Sequence, residues 1–302
     1  MSKYDVSRRL QFIIQYINDQ EFVSKESLIS YLSEKDFNIS TRTIERDFEN
    51  IKSDFGIELS YDRSRKGYYI DKDKSVKVNS FFKFLELVTL ADVFRDGLKD
   101  SHKIFEYVSF DDSSSFKGID NLKPILIAIK QGRDLSFTHY NYFRKTYTDY
   151  TITPLIIKEY LNRWYVIGVP KDINEIRTFG IDRLSNIKKT KLSKIKKSQF
   201  KKALSKFDKC IGLYYNDQEP QEIIIKVNEE HLKYLESLPL HSSQKIIESN
   251  EKGFNLVSYN IIPNYEFTIQ LLKMSIEIEV LEPKEFREYF KKVIRDIYKK
   301  YD

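Results

Sequence analysis

Two arginines, Arg177 and Arg183, bracket the stretch "TFGID", and a third, Arg163, stands immediately before Trp164, the one tryptophan of the chain. Lys158 lies just upstream of it. A guanidinium presents a planar fork of N–H donors that stays charged at every relevant pH, so arginines in this pattern suit phosphate. Trp164, Tyr165, Phe137, His139 and Tyr140 add ring faces and polar tips of the kind that meet nucleobases. His139, Tyr140, Lys158, Arg163, Tyr165, Arg177 and Arg183 therefore form the candidate site for a phosphate-bearing, nucleic-acid or nucleotide-type ligand. Strand alternation alone does not fix which of them share a face. Trp164 reads foremost as strand packing, because large aromatics in short strands usually face a core. Arg183 has a rival partner in the adjacent Asp182.

A second basic constellation lies nearer the N-terminus. In "STRTIERDFENIKSDF" the apolar residues Ile44, Phe48, Ile51 and Phe55 fall on one helical face. Thr41, Arg42, Glu45, Arg46 and Glu49 fall on the polar side, with Arg42 and Arg46 one turn apart. The next stretch, "IELSYDRSRKGYYI", predicts a β-hairpin with Arg63, Arg65 and Lys66 at its tip. An arginine-bearing helix beside a basic hairpin suits a DNA duplex, the helix entering the major groove and the hairpin lying against backbone. The candidate DNA-binding residues are Thr41, Arg42, Thr43, Arg46, Arg63, Arg65 and Lys66. The competing reading pairs the helix arginines with Glu45, Asp47 and Glu49.

Nothing comparable points to catalysis. The nine glycines never cluster into a phosphate-cradling loop. His102, His139, His231 and His241 are scattered, Cys210 is the single cysteine, and no nucleophile elbow is present. His241, in "HSSQ", reads as a turn and dimer-contact residue. No catalytic residue, metal or cofactor is expected. A lone cysteine gives no disulfide framework and suits a reducing cytoplasm. The first twenty residues do not form a signal peptide, and no apolar run reaches the roughly 18 residues of a membrane span. The expectation is a soluble cytoplasmic protein with no membrane partner. Net charge is a mild +6, yet residues 188–209 hold ten lysines against Asp208 alone. That run reads either as a solvated strand end and helix face or as a phosphate-facing surface.

The elements that must position these groups follow from periodicity and caps. The 302 residues suffice for two or three domains. Residues 6–17 form an amphipathic helix, Ser24 caps "KESLISYL", Ser40 caps the arginine helix, and Gly56 ends it. With the hairpin, residues 1–75 read as a winged helix-turn-helix. Residues 76–117 read as a helical linker and dimerisation segment bearing Phe81, Phe84, Leu85, Val88 and Leu90, with "DDSSSFKG" the most linker-like stretch. Residues 118–198 give a short helix and five short strands, a small β-barrel. Residues 199–302 give β-α-β-β-α-β and a closing helix that starts at Pro283, a ferredoxin-like α/β sandwich. The fold class is α+β multidomain.

Taken in order, "STRTIERDFENIKSDFGIELSYDRSRKGYYI", "TITPLIIKEYLNRWYVIGV" with "IRTFGIDRLSNI", and "LPLHSSQ" resemble the bacterial WYL-domain transcriptional regulators over nearly the whole chain. Val166 stands where the name-giving triplet has Leu, and Tyr150 where many relatives carry a basic residue. The resemblance implies an Sm-like or SH3-like barrel (the WYL domain) sensing a nucleic-acid or nucleotide ligand. It implies a WYL C-terminal extension over 199–302, and a homodimer on a palindromic double-stranded DNA operator. The alternative is a single-stranded nucleic-acid-binding module in which the barrel itself is the effector.

Overall fold

A computed structural model describes residues 3–75, 78, 81–83, 86, 87, 117–214, 218–249 and 251–302. Most of the expected linker and dimerisation segment, including Phe84, Leu85, Val88 and Leu90, lies outside the described residues. The chain divides into two compact units, residues 1–110 and 111–302.

In the first unit the helices are α1 (Lys3–Gln20), α2 (Lys25–Glu34) and α3 (Thr41–Phe55). Local chemistry sets their ends. Ser24 accepts the Ser27 N–H at the start of α2, and Ser40 accepts the Thr43 N–H at the start of α3. Gly56 closes α3 in the left-handed conformation, φ 66°. Strands β1 (Leu59–Asp62) and β2 (Gly67–Ile70) pair antiparallel, and Val23 bridges Tyr68 at the hairpin's other edge. A side chain on Gly67 would stand 2.8 Å from the Phe22 and Val23 backbone, so this close approach requires glycine. The apolar faces of the three helices meet in one core around Ile13, Ile14, Leu28, Leu32, Ile44 and Ile51. Phe81 belongs to this core, its ring 4.7 Å from that of Phe55.

In the second unit α4 (Leu122–Lys130) precedes strands β3 (Arg133–Asn141), β4 (Thr146–Tyr160), β5 (Arg163–Pro170), β6 (Arg177–Gly180) and β7 (Leu184–Leu192). They form one antiparallel sheet in the order β6-β5-β4-β3-β7. All five strands are found where the sequence suggests them, but β4 is not short. Its first half pairs with β3 and its second half with β5, and a register shift at Pro154–Ile156 separates much of the two halves. A bulge lets one long strand bend and serve two neighbours. The edge strands β6 and β7 are joined by a single 3-10 turn, Ile181–Arg183, so the sheet curls until its two edges converge there. Trp164 packs against the core of this sheet with Val166, Phe179 and Ile181, which is the packing role its sequence context suggests.

The chain continues through a 3-10 turn (Lys197–Phe200) and α5 (Lys201–Lys206). Then come β8 (Gln221–Asn228), α6 (Glu229–Ser237), β9 (Lys245–Ile247), β10 (Phe254–Ile261), α7 (Tyr265–Lys273), β11 (Ile278–Glu282) and α8 (Lys284–Tyr298). The four strands form an antiparallel sheet ordered β11-β8-β10-β9 over its own core. The "LPLHSSQ" stretch is a hydrogen-bonded turn. Ser243 Oγ accepts the Asn260 N–H, Gln244 Oε1 accepts from Leu240 N and the Tyr259 hydroxyl, and His241 Nε2 lies 3.0 Å from the Asp208 carbonyl.

Candidate functional site

The first candidate surface is α3 with the β1–β2 turn. Thr41, Arg42 and Arg46 are exposed on α3, whereas Thr43 is half-buried, its backbone N–H held by the Ser40 cap. Of the carboxylates that could have paired with the helix arginines, Glu45 takes Lys25 at 2.6 Å. Asp47 is buried and receives Arg9 through two hydrogen bonds, Nε to Oδ2 at 2.6 Å and Nη2 to Oδ1 at 2.9 Å. Among the described residues neither Arg42 nor Arg46 has an ion-pair partner. At the hairpin tip, Asp62 Oδ1 accepts from Ser64 N, Ser64 Oγ and Arg65 N. The Ser64 hydroxyl bond, with the backbone donors, holds that carboxyl below the usual aspartate range. This fixes a tight turn that exposes Arg63 and Lys66. Arg65 lies 4.2 Å above the Phe22 ring.

The second candidate is a cavity of about 880 Å³ wholly within the second unit. One wall comes from the curled sheet: His139, Tyr150, Tyr165, Arg177, Thr178, Phe179 and Arg183. The other comes from Phe200, Ala203, Phe207, Leu213, Tyr214 and Glu266. The volume is within the usual range for small-molecule and cofactor sites. Arg183 sits in the 3-10 turn where the sheet edges converge. Its guanidinium lies 4.9 Å from the Tyr142 ring and against Gly180, where an added Cβ would stand 2.5 Å from Nη2. Arg183 Nε is 3.7 Å from Asp182 Oδ1, so the local ion pair exists, yet Nε makes no hydrogen bond among the described residues.

Three residues of this lining each carry a buried polar atom with no hydrogen-bond partner among the described residues: Arg183 Nε, His139 Nε2 and Glu266 Oε2. Buried polar groups in folded proteins are overwhelmingly paired, so a cluster of exceptions marks a place built for something else. His139 stands among Phe179 and Tyr150 at ring-centroid distances of 5.6 and 6.2 Å. Burial, then the nearby Arg183 charge, hold its imidazole below the ordinary histidine range. The floor is thus aromatic, the cationic group is Arg183, and Arg177 is exposed beside it on β6. Such a cavity suits an anion attached to a flat apolar body.

The structure brings His139, Tyr165, Arg177 and Arg183 together in this lining and leaves Tyr140, Lys158 and Arg163 outside it. Tyr140 follows His139 on β3 and therefore points to the opposite face, where its ring meets Tyr142 and Tyr147. Lys158 pairs in register with Tyr165, but its ammonium donates to the Phe207 carbonyl at 3.3 Å and lies over the Phe207 ring. It holds the wall rather than the contents. Arg163 is exposed at the start of β5. The wall of Phe200, Ala203 and Phe207 escaped the sequence reading because it lies inside the lysine run. Its signal is the helical spacing of Phe200, Ala203, Leu204 and Phe207. Glu266 left no such signal, since a first-turn glutamate is ordinary in a helix.

The second unit is thus a curled five-stranded sheet with a cationic, aromatic cavity beside its converging edges. The WYL domain family matches residues 120–189, which span α4 and nearly the whole of that sheet, so the chain carries a WYL domain. Among solved structures the chain is similar to proteasome accessory factor B/C (PafBC) of Arthrobacter aurescens, at 14% identity and a TM-score of 0.32, covering 95% of this chain and 45% of that one. It is also similar to a CRISPR Cas-related protein, at 17% identity and a TM-score of 0.38, covering 61% of this chain and 52% of that one. The chain therefore spans about half the length of each of these structures. No curated protein matches it. Among the described residues no helix is long and apolar enough to cross a membrane, and no group of three or more His, Cys, Asp or Glu could hold a metal.

Proposed function

We propose that this protein is a ligand-responsive transcription regulator. A winged helix-turn-helix over residues 1–75 binds a palindromic duplex operator as a homodimer. An SH3-like WYL barrel over 118–198, closed by a ferredoxin-like C-terminal extension over 199–302, senses a nucleic-acid or nucleotide ligand. It acts by binding, without catalysis, in the cytoplasm. The observation that carries this reading is the convergence of His139, Arg183 and Arg177 on one aromatic-floored cavity inside a WYL-bearing unit. Support on the DNA side comes from Arg42 and Arg46, exposed on α3 and without ion-pair partners among the described residues.

A second reading, in which the barrel binds single-stranded nucleic acid as its end use, has its own support. The β3–β4 turn exposes Phe143 at 95% and the start of β4 exposes Tyr147 at 72%, with Arg144 and Lys145 between them. Exposed rings beside cations are a stacking platform.

Fluorescence anisotropy separates the two readings. The regulator binds one duplex sequence far better than others, and a short single strand or nucleotide changes that affinity. The second reading gives single-strand binding with no preference among duplexes. Arg183→Ala should remove the ligand response and leave operator affinity near wild type.

A further inference from the structure

The cavity contains a buried acceptor that an anion site alone does not call for. Glu266 stands in the first turn of α7, on the wall that the C-terminal segment supplies. Its Oε1 accepts the Leu213 N–H at 3.2 Å, and its Oε2 is buried without a hydrogen bond among the described residues. The side chain is held from several directions. Gly212, in the left-handed conformation at φ 77°, presses so close that an added Cβ would stand 2.7 Å from Glu266 Cγ. Asn264 caps α7 through the Phe267 N–H and ties the same loop down by donating to the Ile211 and Tyr214 carbonyls. The Glu266 carboxylate is therefore held at a defined position in the residue lining of the cavity. The other carboxylate of the lining, Glu175, is exposed to solvent.

A carboxylate offers acceptors only. A phosphodiester likewise offers acceptors only, and an ionised phosphate is repelled by a carboxylate, so the phosphate belongs at the cationic wall and a donor group of the ligand belongs against Glu266. The sheet wall supplies cations and the C-terminal wall supplies this acceptor, which divides the ligand into an anionic end and a donor end. The same lining includes the rings of Phe179, Tyr150 and Phe207. We infer that Glu266 reads the edge of a nucleobase, and that the cavity takes a nucleotide whose base presents N–H donors, guanine before all others. This rests on the ligand-sensing reading above. Guanine offers adjacent ring N–H and amino donors, a side-by-side match to a carboxylate. Cytosine and adenine offer one amino group beside an acceptor nitrogen. Uracil and thymine offer one N–H flanked by two carbonyl oxygens, and those oxygens face the carboxylate unfavourably. Sites with a buried polar group discriminate strongly against ligands that leave it unpaired.

The test uses the full chain and isothermal titration with guanosine, cytidine and uridine 5′-monophosphates. The inference expects the guanine nucleotide to bind about tenfold or more tightly than the uracil one, with cytidine between. Glu266→Gln keeps the shape and one acceptor oxygen but adds an amino donor. It should erase most of the guanine preference and strengthen uridine binding. Arg183→Ala should weaken all three alike. Equal binding of guanosine and uridine monophosphates by the wild type overturns the role of Glu266 and leaves the anion site standing, provided Arg183→Ala weakens both. Binding of none of the three overturns the nucleotide reading and the inference with it. The wild-type comparison needs no variant, so a Glu266→Gln protein that fails to fold does not shelter the idea. A preference that survives unchanged in a folded Glu266→Gln protein assigns it to another group and sinks the proposal.

Discussion

Gly180 has no side chain because Arg183 occupies the place where one would be. Its backbone, φ −66° and ψ 124°, is one that alanine adopts freely. The nearest atoms an added Cβ would meet are those of the Arg183 guanidinium and the Asp182 carboxyl. The variant should fold with a melting temperature near wild type, yet bind an anionic ligand about ten- to a hundredfold more weakly, the worth of a charge-assisted bond. Unchanged affinity, measured by titration, would show that Arg183 does not touch the ligand. His139 gives a second prediction, with two opposite signs. Burial and Arg183 depress its folded pKa below the ordinary value near 6.5. The unfolded chain therefore takes up a proton first, and the fold loses stability as pH drops below about 6.5 until the folded pKa is reached. An anion beside Arg183 offsets the local positive charge and raises the His139 pKa, so ligand affinity should grow as pH falls through the same window. A phosphodiester ligand, whose charge is constant there, isolates the effect. His139→Asn should flatten the binding profile between pH 7.5 and 5.5. It should only reduce the slope of stability, because burial also depresses His241, despite its bond to the Asp208 carbonyl. A binding profile equally steep in His139→Asn and wild type would exclude His139.

Helix α3 has a buried face and an exposed face, and each carries its own prediction. The inner face carries Asp47, bonded to Arg9 of α1 with side-chain exposures of 0% and 1%. Removing one charge of such a buried pair takes away the opposite charge that compensates the other, so Asp47→Asn should destabilise the N-terminal unit by about 3–5 kcal/mol. A domain typically has only about 5–15 kcal/mol in hand, so much of the unit should unfold and duplex binding fail with it. Replacing both by apolar residues, Arg9→Met with Asp47→Leu, should recover most of the loss in a denaturant titration. Failure to recover would mean that the pair fixes the α1–α3 arrangement itself. The outer face carries Arg42 and Arg46, and their double alanine variant should keep its melting temperature. It should lose on the order of 1–3 kcal/mol of operator affinity per base-reading arginine. A folded double variant binding its operator at full strength would remove α3 from the interface. Ser24, Ser40 and Gly56 were legible in the sequence because a cap acts within four residues. The Arg9–Asp47 pair spans 38 positions, and nothing local tells a buried arginine from a solvated one. In the sheet, the arginines and aromatics were legible as a class. Their sorting was not, because period-two alternation divides His139 from Tyr140 and packing against Phe207 withdraws Lys158. Glu266 was out of reach: it joins the cavity only through the fold of the C-terminal segment.

At the scale of the whole molecule the proposed function is a statement of linkage between two sites on one chain. If a ligand in the cavity changes operator affinity by some factor, the operator must change ligand affinity by the same factor, whatever path the coupling takes. Typical couplings are about 1–3 kcal/mol, roughly five- to 150-fold, well within reach of titration. The regulator reading also calls for two duplex-binding units about 34 Å apart, or a multiple of it, on a palindromic site. Light scattering at micromolar concentration should therefore report a dimer, at least with operator added. Four titrations then decide the matter: operator alone, ligand alone, ligand in the presence of saturating operator, and operator in the presence of saturating ligand. The expected outcome is a ligand affinity that shifts with operator in the wild type by the factor seen in the reverse experiment. Arg42→Ala with Arg46→Ala should lose the shift by losing the operator, and Arg183→Ala by losing the ligand. A dimer whose ligand affinity is identical with and without operator has two sites that do not communicate. That result would end the sensor interpretation while leaving both binding surfaces intact, and would favour the barrel as an effector in its own right.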